Sequence, residues 1–197
     1  MPGKTVRFQT PSPSPSEIDG SASPGPIPYL TLPAVDCQLH PVLMHNRSSS
    51  RSISWDMSYP IQYARLNPAW DQSNWNAPAT NPNVTHMVVI FGAWRIRIFP
   101  RPGSPIPYVT VLDVLHGIYR YLRSSSSSRD FESLSPDKKM RVTEAYHRRW
   151  QRCQPGEQEM ERQKGVKQID FLAESKSFWG LSPTKELGTW QLQVLRS

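Results

Sequence analysis

Cys37 and His40 stand three residues apart, and so do Asp113 and His116. A thiol beside an imidazole can act as a nucleophile with its base, and a carboxylate beside a histidine can orient one. Either pair needs hydrogen-bond reach and a donor pair for an oxyanion. The sequence around them argues for blander roles. Cys37 opens a Leu-rich stretch, where a small buried thiol is the usual role. His116 shares a polar helical arc with Arg120 and reads as a solvated face. We therefore expect no catalytic residues. The alternative is an enzyme whose pocket between sheet and helices gathers Cys37, His40, His86 and His116. The five histidines are scattered, with no His-x-x-x-His or Cys-x-x-Cys pair, so neither metal nor cofactor is expected.

The N-terminus offers binding chemistry instead. Lys4-Thr5-Val6-Arg7-Phe8 resembles the docking motif for type-1 serine/threonine protein phosphatase, a basic residue followed by Val, one spacer and Phe. In an extended peptide Val6 and Phe8 point to one side and can fill two apolar pockets. Lys4 would meet an acidic rim. Thr10, Ser12, Ser14 and Ser23 each precede proline and, with Thr5, are candidate phosphorylation sites. Ser-Pro is equally the ordinary composition of a disordered linker. A motif this short also recurs by chance.

A basic surface is the second candidate. Between Lys138 and Lys167 there are nine Lys or Arg against four Glu. Lys138, Lys139, Arg141, Arg148 and Arg152 are its candidate residues. Nucleic-acid binding would need clustered cations and exposed rings. Trp150 falls in an apolar stripe and Glu157, Glu159 and Glu161 dilute the field, so a solvated helix face is the default and nucleic acid is disfavoured. Trp70 and Trp75, in a polar stretch, either plug the sheet or form a sticky contact.

These residues need elements to hold them. Ile53, Trp55 and Met57 alternate with polar neighbours, as in a half-buried strand. His86–Phe91 and Trp94–Phe99 are β-rich runs joined by Gly92-Ala93, which suits a type II′ hairpin. Ile169 with Phe171, and Trp190 with Leu192 and Val194, alternate in the same way. Thr110 with Asp113 reads as a capping box opening a helix to Arg123. A second helix starts near Pro136 or Asp137 and stops before Pro155-Gly156; Val142, Ala145, Tyr146, Trp150 and Cys153 form its apolar stripe. Arg149 lies inside that stripe and must snorkel or find a carboxylate. Strands, helices, then strands argue for α+β: an antiparallel sheet with two helices packed on one face.

The 197 residues carry a formal charge of +7. Residues 1–33 hold eight of the twenty prolines and read as a disordered tail. Residues 34–197 hold all seven tryptophans and read as one domain. The runs 47–51 and 124–128 read as loops. No apolar leader and no membrane span is visible, so the expectation is an intracellular protein, cytoplasmic, nuclear or both. The glycosylation-type triplets at Asn46 and Asn83 are then chance matches. Whether Cys37 and Cys153 pair, and the oligomeric state, are open at this level.

Several stretches together carry a likeness. Leu39-His40-Pro41-Val42-Leu43 opens it, then Trp55-Asp56-Met57, Ala79-Thr80-Asn81-Pro82 and Val109-Thr110-Val111-Leu112-Asp113-Val114-Leu115 with Ile118, Tyr119 and Leu122. Gly165-Val166-Lys167-Gln168-Ile169-Asp170-Phe171-Leu172 leads to Phe178-Trp179-Gly180-Leu181. Over most of residues 39–195 the chain resembles a fungal family catalogued as domain of unknown function 6699. The serine run 124–128 departs from it, where a shorter link is expected. The resemblance implies a fungal source and a compact domain, and it carries over no site residues. The function expected is a non-catalytic protein-interaction module whose tail docks the phosphatase or another protein partner.

Overall fold

The computed structural model describes residues 37–46 and 51–196. Lys4, Val6, Phe8 and the candidate sites Thr5, Thr10, Ser12, Ser14 and Ser23 lie outside them. The fold is α+β. Its short strands are β1 (Gln38–Leu39), β2 (Ile53–Ser54), β3 (Arg65–Leu66) and β4 (Thr80–Asn81). The main strands are β5 (Met87–Phe91), β6 (Trp94–Ile98), β7 (Ser177–Pro183) and β8 (Thr189–Leu195). Between β6 and β7 run the helices α1 (Val111–Arg123), α2 (Ser128–Glu132), α3 (Pro136–Gln151) and α4 (Gln158–Gln163).

The main sheet has the order β6-β5-β8-β7. Both sequential pairs, β5 with β6 and β7 with β8, are antiparallel hairpins. The two hairpins meet through one parallel pairing, β5 with β8. Four helices separate these partners in sequence, which is the long crossover that a parallel neighbour requires. Gly92 has φ +58 and Ala93 has no positive φ, the sign pattern of a type II′ turn.

Alternation sets the register of burial. Ile96 and Ile98 are buried while Arg95 and Arg97 are exposed, and Ile53, Trp55 and Met57 all face inward. The segment 55–57 docks on the outer edge of β7 through Phe178 N–H to Trp55 O, 2.9 Å, and Met57 N–H to Lys176 O, 2.9 Å. Arg123, at the end of α1, donates to the carbonyls of Met57 and Ser58 at 3.0 and 2.6 Å and lies over the Tyr119 ring. Helix α1 covers the sheet with Val111, Val114, Leu115, Ile118 and Leu122, all fully buried.

Helix α3 sits at one remove. Val142 and Tyr146 form a smaller cluster with Val166, against Phe131, Leu134, Trp150 and Phe171. It meets the main core through the 3-10 turn Gln168–Leu172, which packs on α1. That turn corrects the reading of Ile169 and Phe171 as a strand. The period-2 pattern is short, and Asp170 caps the turn by accepting from Lys167 N–H at 2.9 Å, so local chemistry overrides the alternation. The run 124–128 is likewise more than a loop. Ser126 is buried, and Ser127 caps α2 by accepting from Asp130 N–H at 3.2 Å.

Gly180 is the tightest point. Its φ is +124, and a Cβ there would stand 2.8 Å from His45 N and 3.0 Å from Leu43 O. The segment 43–45 crosses β7 at this point, with His45 N–H donating to Leu181 O at 2.8 Å. Gly180→Ala adds a backbone collision to φ strain and is expected to cost about 3 kcal/mol or more. Gly92→Ala has strain alone, with nothing within 4 Å of the added carbon, and is expected to cost about 1–2 kcal/mol. Denaturant unfolding of both variants checks the order, and equal losses would show that the crossing gives way.

Candidate functional site

The candidate site is a half-open groove of about 590 Å³. It runs between the β5–β6 hairpin tip, the α2–α3 corner, the first turns of α3 and the segment 171–175, and Arg196 also lines it. Each wall has a local cause. The two-residue turn projects Phe91 and Trp94 side by side, with ring centroids 5.7 Å apart. Trp94 meets Phe171 edge-on at 5.1 Å and 83°. These rings and Val142 give the groove an apolar floor.

Helix α3 supplies the charged rim. Pro136 stands at its first turn, where a missing N–H is harmless. At 3.6 residues per turn, Lys138, Arg141, Arg148 and Arg152 fall within an arc of about 80°. Lys139 is turned about 100° away from Lys138 and leaves the row. Lys138 and Arg141 line the groove and make no hydrogen bond or ion pair among the described residues. Glu174, across from them, is paired with Arg196. That hydrogen-bonded pair, with the more distant charges of Arg148 and Arg141, holds the Glu174 carboxyl below its ordinary range. Asp130 adds a carboxylate at the α2 side.

Behind the groove lies a buried ionic cluster. Arg149 resolves its position in the apolar stripe by finding carboxylates. Its Nε and Nη2 donate to the two Asp170 oxygens, both at 2.9 Å. Nη2 also donates to Gly165 O at 2.7 Å, and Nη1 to Glu161 at 2.5 Å. The Asp170 side chain is 1% exposed and that of Arg149 15%. Glu161 takes two further cations, Lys167 at 2.5 Å and Lys164 at 2.9 Å. Burial works against the Glu161 charge, but the hydrogen bonds from Lys167 and Lys164 and the charges of Lys167 and Arg149 outweigh it, holding its pKa at about 2. The cluster fixes the turn 168–172, whose cap Ala173 has φ 49 and ψ −105. That is a strained backbone for a residue with a Cβ, and it lines the groove.

The residues singled out from sequence do not converge. Cys37 and His40 share a different groove, beside Met44, Leu181 and Trp190. His40 Nδ1 accepts from Val42 N–H at 3.3 Å, capping the turn Pro41–Leu43. The neutral ring therefore carries its proton on Nε2 and its acceptor is spent. Burial pushes its pKa down. Neither Cys37 nor Cys153 is in a disulfide. Asp113 serves the helix cap: it accepts from Thr110 N–H at 3.0 Å, Thr110 Oγ1 at 2.7 Å and Arg101 Nε at 2.8 Å. His116 lies beside Trp75 and Leu112 in a third depression, and burial and then Arg101 lower its pKa. His86 stacks on Phe99 at 6.0 Å. Trp70 and Trp75 pack on the core and so plug it. Of the five candidate basic residues, four form the row and two reach the groove.

Sequence reasoning missed Phe91, Trp94, Phe171, Ala173, Glu174 and Arg196 as neighbours. The one available signal was the pair Phe91 and Trp94 on either side of the hairpin turn. Among the described residues, no cluster of His, Cys, Asp and Glu is arranged to hold a metal ion, and no helix is long and apolar enough to cross a membrane.

Residues 53–187 match a family of unknown function, DUF6699, and the chain belongs to that family. Every groove residue except Arg196 falls within the matched span. No curated protein and no solved structure matches the chain.

Arg149→Ala leaves Asp170 buried without its partner and is expected to cost about 3–5 kcal/mol. Glu161 sets a pH dependence. Its folded pKa of about 2 lies below the ordinary 4.5, so its stabilisation is complete above the unfolded value and is lost as pH falls from there through about 2. Thermal unfolding from pH 7 to pH 2 is expected to show that loss, and Glu161→Gln to flatten it and lower the midpoint at pH 7. An unchanged profile would show that the cluster contributes nothing.

Proposed function

We propose that the chain is a non-catalytic protein-interaction module. In this reading the folded domain offers its groove to a partner, and the segment Lys4–Phe8 docks a type-1 serine/threonine phosphatase. The observation that carries the reading is the make-up of the groove. Contiguous aromatic area beside two unpaired cations is the composition of interface hot spots, where rings supply area and charges supply selectivity. A hydrolytic or transfer site would need a nucleophile, a base and an oxyanion donor pair within reach of one another. Here Asp113 and His40 Nδ1 are spent on caps, and His86 and His116 lie elsewhere.

The tail part of the proposal rests on Lys4, Val6 and Phe8. Val6 and Phe8 share one side of an extended peptide, so a partner's sheet edge can pair with the backbone while two pockets take the side chains. A phosphatase partner goes with a cytoplasmic or nuclear setting, which the two cysteines outside any disulfide suit. The fungal source implied by the resemblance belongs to the same reading.

The test separates tail from domain. Val6→Ala with Phe8→Ala is expected to abolish co-precipitation of the phosphatase while leaving the thermal midpoint unchanged. A peptide covering residues 1–15 with phosphate on Thr5 is expected to bind more weakly than the plain peptide, because it places about two negative charges against an acidic rim. Equal capture of the phosphatase by the double variant would reject the docking role.

A further inference from the structure

The basic row is longer than the groove, whose lining includes Lys138 and Arg141 but not Arg148 or Arg152. From Lys138 to Arg152 the row extends about 21 Å along α3. A ligand confined to the groove reaches Lys138 and Arg141 but not Arg148 or Arg152. An extended heptapeptide spans about 23 Å and reaches all four. The occupant that fits is therefore a chain, with an apolar group for the floor and negative charge for the row.

We propose that this surface binds an acidic peptide. One aromatic or aliphatic side chain seats against Trp94 and Phe171. The carboxylates or phosphates next to it lie on Lys138, Arg141 and Arg148. This inference rests on the interaction-module reading and names the class of partner.

The neighbouring charges define which anion is accepted. Glu174 is hydrogen-bonded to Arg196 and acts on Arg148 and Arg141 only through longer-range charge, so it offsets the row only in part. Asp130 makes no ion pair among the described residues and offers an acceptor to a peptide N–H. Asp137 and Glu144 border the row on its outer side. Arg148 anchors itself by donating to Glu144 O at 3.4 Å, which leaves most of its guanidinium open. A peptide can place its anions at intervals that avoid Asp130, Asp137 and Glu144. A nucleic acid carries a phosphate at every step and would bring some of them against these carboxylates. Its bases would also have to stack on Trp94 between Asp130 and Glu174. Charge complementarity of this selective kind favours the peptide.

Random-heptapeptide display against the full chain tests the inference. It is expected to enrich Asp and Glu, or phosphoserine where that is supplied, around a single Phe, Trp or Leu. Lys138→Ala with Arg141→Ala is expected to weaken the enriched peptide at least about tenfold, with the thermal midpoint unchanged because both residues are exposed. Binding is expected to fall with added salt. Enrichment of apolar anchors with no acidic bias overturns the acidic class and leaves the module reading in place. No enrichment at all removes the groove as an interaction site, while tail docking is read separately by co-precipitation. Oligothymidylate that displaces the peptide at equal charge concentration, or a double variant within twofold of the parent, also overturns the inference.

Discussion

Arg149 is the residue on which the second half of the molecule turns. It comes from a helix outside the main core, and its fork grips Asp170 in the turn that packs on α1 and joins that core. A guanidinium this far from water is tolerated only when its donors are filled. Two carboxylates and one backbone carbonyl take four of its five N–H groups. The same contacts orient α3, tie α4 through Glu161 and fix the 168–172 turn. A hydrophobic residue at 149 would extend the apolar stripe but would leave Asp170 without its charge partner. The ionic contact therefore specifies an arrangement that apolar packing alone would leave loose.

The groove is a by-product of that arrangement. Because α3 is held away from the sheet, the β5–β6 hairpin tip and the first turns of α3 face each other across a gap. The gap keeps its shape because its floor is over-determined. Ala173 is held in a strained conformation by its own N–H to Asp170 O at 3.0 Å and by Ser175 N–H to Leu172 O at 2.8 Å. The charges around it are sorted. Arg95 is bidentate to Glu186, Arg196 donates twice to one Glu174 oxygen, and Arg123 donates to backbone carbonyls. Lys138 and Arg141 have no such commitment. In a molecule that pairs many of its arginines, two free cations beside a cluster of aromatic rings form an open valence.

Most of the fold was legible because it rests on short-range rules. The alternation at Ile53, Trp55 and Met57, the Gly92 turn and the Thr110–Asp113 box each act within a few residues. The same rules identified α3 and flagged Arg149 as needing a carboxylate. What failed was the element at 168–172, where two apolar residues two apart satisfied a strand pattern. Asp170 between them is a cap and an ion-pair partner, and only its partner 21 residues upstream gives that away. The parallel pairing of β5 with β8 was also out of reach, since no local pattern chooses which hairpin edges meet.

The site was legible only in halves. Helical spacing places Lys138, Arg141, Arg148 and Arg152 in one row with no knowledge of the fold. The aromatic half is assembled from Phe91, Trp94 and Phe171, and no periodicity joins residues about 80 positions apart. Residue types that invite catalysis, Cys37, His40, Asp113 and His116, drew the eye first and prove to be caps and groove walls. His40 and Asp113 spend their acceptors on holding the chain in place, as capping asks of any polar side chain near a helix start. The unspent chemistry lies in unremarkable lysine and arginine on an exposed helix face. What distinguishes them is that a remote buried ion pair holds an aromatic floor beside them.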